Sequence, residues 1–125
     1  MIRRLMIPGW LGLAVMIADP ALAGDLSGTW LRDTGASKVT FSRCGDAICG
    51  SISWLKPGAD SKAKVGQRVF FDMKPAGPDT WSGSAFNPED GKTYSGKMTL
   101  SGNTLTTAGC VMGVFCKSAT WTRSH

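Results

Sequence analysis

The clearest chemistry in this chain belongs to four cysteines, Cys44 and Cys49 in "SRCGDAICG" and Cys110 and Cys116 in "GCVMGVFC". Sulfur at such spacings can ligate a metal, run a redox couple or close a staple. A zinc site wants tighter Cys pairs joined by histidines, and the chain's only histidine is its last residue, His125. A thioredoxin-like couple has two intervening residues, whereas four and five intervene here. An even cysteine count in a short exported chain reads instead as two disulfides, so no metal is expected. Local pairing, Cys44 with Cys49 and Cys110 with Cys116, is expected across hairpin turns. Cross-pairing would close longer loops and gain roughly 2 kcal/mol more by loop entropy.

The second candidate is "NPEDGKTYSG", residues 87–96, where Glu89 and Asp90 precede Tyr94. Two carboxylates beside a phenol could hold a cation or a sugar. The alternating oxygen ligands of a calcium loop are missing, however. The plainer reading is a hairpin turn that Asn87-Pro88 begins and Asp90-Gly91 completes as a positive-φ dipeptide. Catalysis has little to work with. There is no internal histidine for base chemistry, no thiol once both staples form, and no visible base partner for any serine. A glycosidase needs two acids across a cleft, and adjacent Glu89 and Asp90 would project apart. The expectation is that the protein is not an enzyme and uses no cofactor.

Where these residues work is written at the N-terminus. Arg3 and Arg4 precede an apolar run from Leu5 to Ala18, then Ala21-Leu22-Ala23. That is the layout of a secretory signal peptide, residues 1–23, cut after Ala23. Its fourteen-residue run is short for a membrane span, which needs roughly 20 apolar residues. The expected location is therefore periplasmic or secreted, with no stable membrane span after cleavage. Residues 24–125 suffice for one domain. The net charge of +5 becomes +4 when two arginines and Asp19 leave with the leader. That excess would suit an anionic polysaccharide or lipid headgroup, but its even spread reads more simply as solubility. Export and the lack of a basic cluster interleaved with aromatics argue against nucleic acid.

The elements that must position these groups are short alternating runs. Strands are expected over 28–33, 38–43, 49–55, 67–73, 80–86, 93–100, 104–109 and 115–123. Clusters of Gly, Pro, Asn and Asp separate them, including "KPAGPD" at 74–79 and the longest loop, 56–66. Such spacing indicates an all-β fold. Connections this short favour a small eight-stranded antiparallel up-and-down barrel over a Greek-key sandwich. Eight strands enclose an interior that side chains nearly fill or that holds one small ligand. Trp30, Trp54, Trp81 and Trp121, with Phe41, Phe71 and Tyr94, can all face inward by alternation. They would then form either the core or an aromatic pocket. If a site exists, Trp54, Trp81, Glu89, Asp90 and Tyr94 are its expected ligand-binding residues.

Two resemblances add to this. Gly28-Thr29-Trp30 in "LSGTWLRDTGAS" and Arg123 in "ATWTR" resemble lipocalin-like and avidin-like barrels, in which a Gly-x-Trp on the first strand packs at the closed end against an arginine of the last. By that likeness Trp30 and Arg123 form the structural base of a barrel through a cation–π contact. Across most of the chain, "CGDAICGSISWLKPG", "FNPEDGKTYSGKMTL" and "TLTTAGCVMGVFC" resemble domain-of-unknown-function family 2147, small exported bacterial proteins. That likeness implies a β-barrel-like exported domain and no particular activity. The leading expectation is a barrel that binds a small apolar or amphipathic ligand. The alternative is a solid barrel, a structural or interaction protein of the envelope that contacts a protein or glycan through its loops.

Overall fold

The computed structural model describes residues 26–58 and 61–124. The signal-peptide reading of residues 1–23 lies outside the described residues. Eight strands follow in order: β1 (Gly28–Arg32), β2 (Ser37–Cys44), β3 (Ala47–Leu55), β4 (Arg68–Gly77), β5 (Thr80–Asn87), β6 (Lys92–Ser101), β7 (Thr104–Val111) and β8 (Phe115–Ser124). Each pairs antiparallel with the next. β1 also pairs with β8, from Thr29 opposite Ser124 to Arg32 opposite Trp121, so the sheet closes as an up-and-down barrel. Closure satisfies the backbone of the first and last strands and leaves no free edge.

Odd-numbered connections leave at one end and even-numbered ones at the other. The upper end carries the β1–β2, β3–β4, β5–β6 and β7–β8 connections. The lower end carries the remaining turns and both termini of the barrel. Trp30 seals the lower end. It is fully buried, its indole Nε1 donates to the Leu26 carbonyl at 3.0 Å, and the Arg123 guanidinium lies 4.4 Å from its ring centre. Arg123 Nε in turn donates to Asn103 Oδ1. Above this plug pack Phe41, Met73, Trp81, Met98 and Leu105, all essentially without exposure. These inward positions alternate with exposed ones along β6, where Gly96, Met98 and Leu100 are buried and Ser95, Lys97 and Thr99 are not.

Both disulfides join the pairs expected from locality, Cys44 with Cys49 and Cys110 with Cys116. Their geometries differ. Cys110 sits directly opposite Cys116, whereas Cys44 pairs in register with Ala47, and Cys49 with Ser42. The β2–β3 connection is therefore a two-residue turn, Gly45-Asp46, with its staple set diagonally.

Three details depart from simple alternation. "KPAGPD" is mostly strand, because β4 runs on to Gly77. The register shifts between Phe71 and Lys74 and again between Pro75 and Gly77, and Asp72 takes a positive φ of 51°. These bulges let the strand continue past Pro75, which cannot donate to a regular ladder. The same bulge makes Phe70 the inward ring in place of Phe71. Phe70 faces Ala85 and packs 5.4 Å from Phe41, while Phe71 lies opposite Ser84. In β3 the register shifts where Val39 pairs with Ile52 but Lys38 pairs with Trp54, which leaves Ser53 as an extra residue. One extra residue exchanges the faces that follow. Trp54 turns outward, 37 % exposed beneath the Lys38 ammonium, and Leu55 takes the inward position.

Candidate functional site

Above the packed lower core, the barrel narrows its side chains and opens a space. On β5 Ala85 lies above Trp81, on β7 Gly109 lies above Thr107, and on β8 Ala119 lies above Trp121. These small residues leave a cavity of about 840 Å3 that reaches the upper rim. Val39, Ile52, Leu55, Val69, Phe70 and Trp121 form its apolar wall, and Ala36, Ala63, Ala85 and Ala119 widen it. The floor is aromatic, with the Phe70 ring 6.4 Å from Trp121 at an edge-on angle of 75°.

Polar groups occur at two levels. Deep in the wall, Trp121 Nε1 donates to Thr107 Oγ1 at 3.0 Å, and Thr107 is the only buried polar side chain among the described residues. The Arg32 guanidinium lies 5.6 Å from the Trp121 ring centre and also borders the cavity. Its Nε sits 3.4 Å from Asp33 but makes no hydrogen bond among the described residues. It is a charge contact without hydrogen-bond geometry.

At the rim, the β5–β6 turn supplies Glu89 and Asp90, and β6 supplies Tyr94. The turn is held by its own side chains. Gly91 N–H donates to the Asn87 carbonyl at 2.8 Å, Asn87 Oδ1 accepts from Glu89 N–H, and Asp90 Oδ1 accepts from Lys92 N–H, both at 2.9 Å. Gly91 alone takes a positive φ, 71°, so the turn is a short helical bend closed by one left-handed residue, not an Asp-Gly pair with both residues at positive φ. The two acids then diverge. Glu89 Oε2 accepts from Ser61 Oγ at 2.6 Å and Lys62 N–H at 3.3 Å, tying part of the β3–β4 connection to the rim. Asp90 accepts a hydrogen bond from the Tyr94 hydroxyl. That bond, assisted by the Lys92 N–H and the nearby Lys92 and Lys117 charges, holds the Asp90 carboxyl below the usual range. It holds the Tyr94 phenol above its own, because ionising the phenol would break it.

The sequence-based site thus divides. Glu89, Asp90 and Tyr94 meet at the cavity mouth. Trp54 lies outside the barrel because of the β3 bulge, and Trp81 belongs to the packed lower core. Trp81 Nε1 is buried with no acceptor among the described residues. Sequence reasoning missed Arg32, Thr107 and Lys117 as cavity residues. Strand parity within "TLTTAG" and "FCKSATW" carried a signal for the last two, since Thr107 alternates with Leu105, and Lys117 with Ala119 and Trp121. Cys44, Cys49 and Asp72 also cluster, but the two sulfurs are bonded to each other and offer no thiolate to a metal. No helix among the described residues is long and apolar enough to cross a membrane.

A closed, eight-stranded, next-neighbour cup with a Trp–Arg plug at one end and an open cavity at the other is a lipocalin-like barrel. A solved structure agrees: "Protein HP1028 from the human pathogen Helicobacter pylori belongs to the lipocalin family" is similar with a TM-score of 0.66 and 20 % identity, covering 80 % of this chain and 83 % of that one. The particular family follows from residues 28–123, which match the uncharacterized proteins conserved in bacteria designated DUF2147, and the chain belongs to that family. No curated protein matches.

Proposed function

We propose that this barrel is an exported binding protein that takes one small apolar or amphipathic molecule into its upper cavity. The observation that carries the reading is the 840 Å3 space, walled by aliphatic and aromatic side chains and open at one end. Ligand sites of roughly 300–1,000 Å3 with apolar walls and few polar groups are the usual form of small-molecule pockets. Arg32, Thr107 and the rim pair Asp90–Tyr94 supply polar contacts suited to one end of an amphipath. A solid barrel acting through its loops alone would not leave so large an interior. Export is supported by two disulfides, which persist in oxidising compartments.

Binding without catalysis is part of the reading. Both thiol pairs are oxidised, and the rim carboxylates are committed to Ser61, Lys62, Lys92 and Tyr94. The test is titration with 1-N-phenylnaphthylamine. Saturable enhancement at one site per barrel, with a change in Trp121 emission, is expected. Ala85→Phe, which fills the cavity from the β5 side, should abolish it while the circular dichroism of the barrel is kept. Non-saturable uptake, or full binding by the filled variant, would remove the cavity from the account.

A further inference from the structure

The β7–β8 hairpin tip is the largest exposed apolar feature among the described residues. Met112 is 87 % exposed, Val114 and Phe115 are each 73 %, and Val111 is 42 %. Burying none of these in the barrel leaves four apolar side chains in water at one corner. Single exposed hydrophobes are ordinary, but a contiguous group of them marks a contact surface.

The tip is also built to stay extended. Val111 pairs with Phe115, and Cys110 with Cys116 directly below, so the disulfide clamps the hairpin at its neck. Met112 and Gly113 take φ of 56° and 68°, and Val114 N–H closes the turn onto the Val111 carbonyl. A methionine in the left-handed region is sterically costly, where asparagine or glycine would be easy. The large apolar side chain is thus held at the apex against local preference.

Charge says what it meets. The tip stands at the upper end, which also carries the exposed cations Lys62, Lys64, Lys92 and Lys117. None of these four makes an ion pair among the described residues, where the ion pairs are Arg32–Asp33 and Lys74–Asp46. Among the described residues this end carries three acids, Asp33, Glu89 and Asp90, against the cations Arg32, Lys56, Lys62, Lys64, Lys92 and Lys117, so positive charge is in excess. The sequence shows an even spread of basic residues, but folding brings lysines from β3–β4, β5–β6 and β8 to the end that carries the apolar apex. An apolar wedge on a lysine-bearing end matches the chemistry of an anionic bilayer surface, with acyl chains inside and phosphates outside.

Val111, Val114, Phe115 and Lys117 border the cavity as well. The wedge and the cavity wall are one apolar surface. We propose that the upper end docks on an anionic phospholipid membrane, with the Met112–Phe115 tip entering the interface and the rim lysines on the headgroups, so that the cavity mouth faces the lipid. This deepens the binding reading above by naming the surface from which an amphipath would enter.

The experiment is co-sedimentation of residues 24–125 with large unilamellar vesicles of phosphatidylcholine, with and without phosphatidylglycerol. Every strand pairing of the barrel lies within that span. Binding is expected to need phosphatidylglycerol and to weaken with salt. Met112→Ser/Phe115→Ser and, separately, Lys64→Glu/Lys92→Glu should each lower vesicle affinity by about tenfold or more. Circular dichroism and urea unfolding of the same variants, free of vesicles, check that the barrel is intact. Loss of dye binding in the wild type overturns the cavity reading alone, whereas vesicle binding reports docking independently. Failure to bind phosphatidylglycerol vesicles, or equal binding by both double variants, overturns the docking proposal. So does concentration-dependent dimerisation abolished by Met112→Ser/Phe115→Ser, which would assign the tip to a second copy of the chain.

Discussion

Two buried indoles differ in a way that mutation can measure. Trp30 donates to Leu26 and stacks under Arg123, whereas Trp81 Nε1 is buried without an acceptor among the described residues. Trp30→Ala should cost roughly 3–5 kcal/mol, as for other core aromatics. Exchanging each for phenylalanine separates the polar part. Trp30→Phe strands a buried carbonyl, while Trp81→Phe removes a donor that has no partner. Urea unfolding should therefore find Trp30→Phe the worse by about 1–3 kcal/mol. Equal losses would mean that volume alone matters at both sites. Tyr94 offers a second measurement, since it is the only tyrosine in the chain. Its hydrogen bond to Asp90 raises the phenol's pKa, so the bond's contribution is complete below the ordinary tyrosine range and disappears as pH rises through the raised value. Asp90 is lowered, so its contribution is present above the ordinary carboxylate range and disappears as pH falls through the lowered value. Phenolate absorbance should rise later than for a free tyrosine, and Asp90→Asn should bring it earlier. An unchanged curve in Asp90→Asn would break the pairing.

The strands are held to their partners by bulges that leave little tolerance. A Cβ added at Gly83 would stand 2.5 Å from the Phe71 carbonyl and 2.7 Å from that of Asp72, both backbone atoms of the β4 bulge. Gly83→Ala must therefore push β4 and β5 apart, with an expected loss of about 1–3 kcal/mol in thermal unfolding. A stability like that of the parent would show that the bulge yields. The hairpin staple is a different case. Replacing Cys110 and Cys116 by serine frees a short loop and should cost about 2 kcal/mol. For a domain this size that corresponds to a fall in Tm of roughly 10 °C with the barrel still closed. The strands and the local cysteine pairs were legible because alternation, turn residues and spacing are local signals. The bulges were not, because an extra residue in one strand is defined only against its partner. That is why Trp54 and Phe71 were expected inside and lie on the outer face.

As a whole, the molecule is a cup with its weight at the bottom. Indoles and methionines fill the lower half, and small residues on β5, β7 and β8 leave the upper half open. A ligand that binds only the closed barrel should stabilise it by about 2.7 kcal/mol at a hundredfold excess over Kd, seen as a rise in Tm. Such a rise should vanish in Ala85→Phe.

By itself, the sequence determined the all-β class, the number and order of the strands, the local disulfide pairs and the residues of the β5–β6 turn. Each depends on neighbours within a few positions, where side-chain period and turn chemistry act directly. Only the tertiary structure decided which tryptophans face the interior, that the upper barrel is hollow, and that Arg32, Thr107, Lys117, Asp90 and Tyr94 share one space. Those outcomes depend on register across strands far apart in sequence and on the volume left when all eight close together, quantities that no single segment contains.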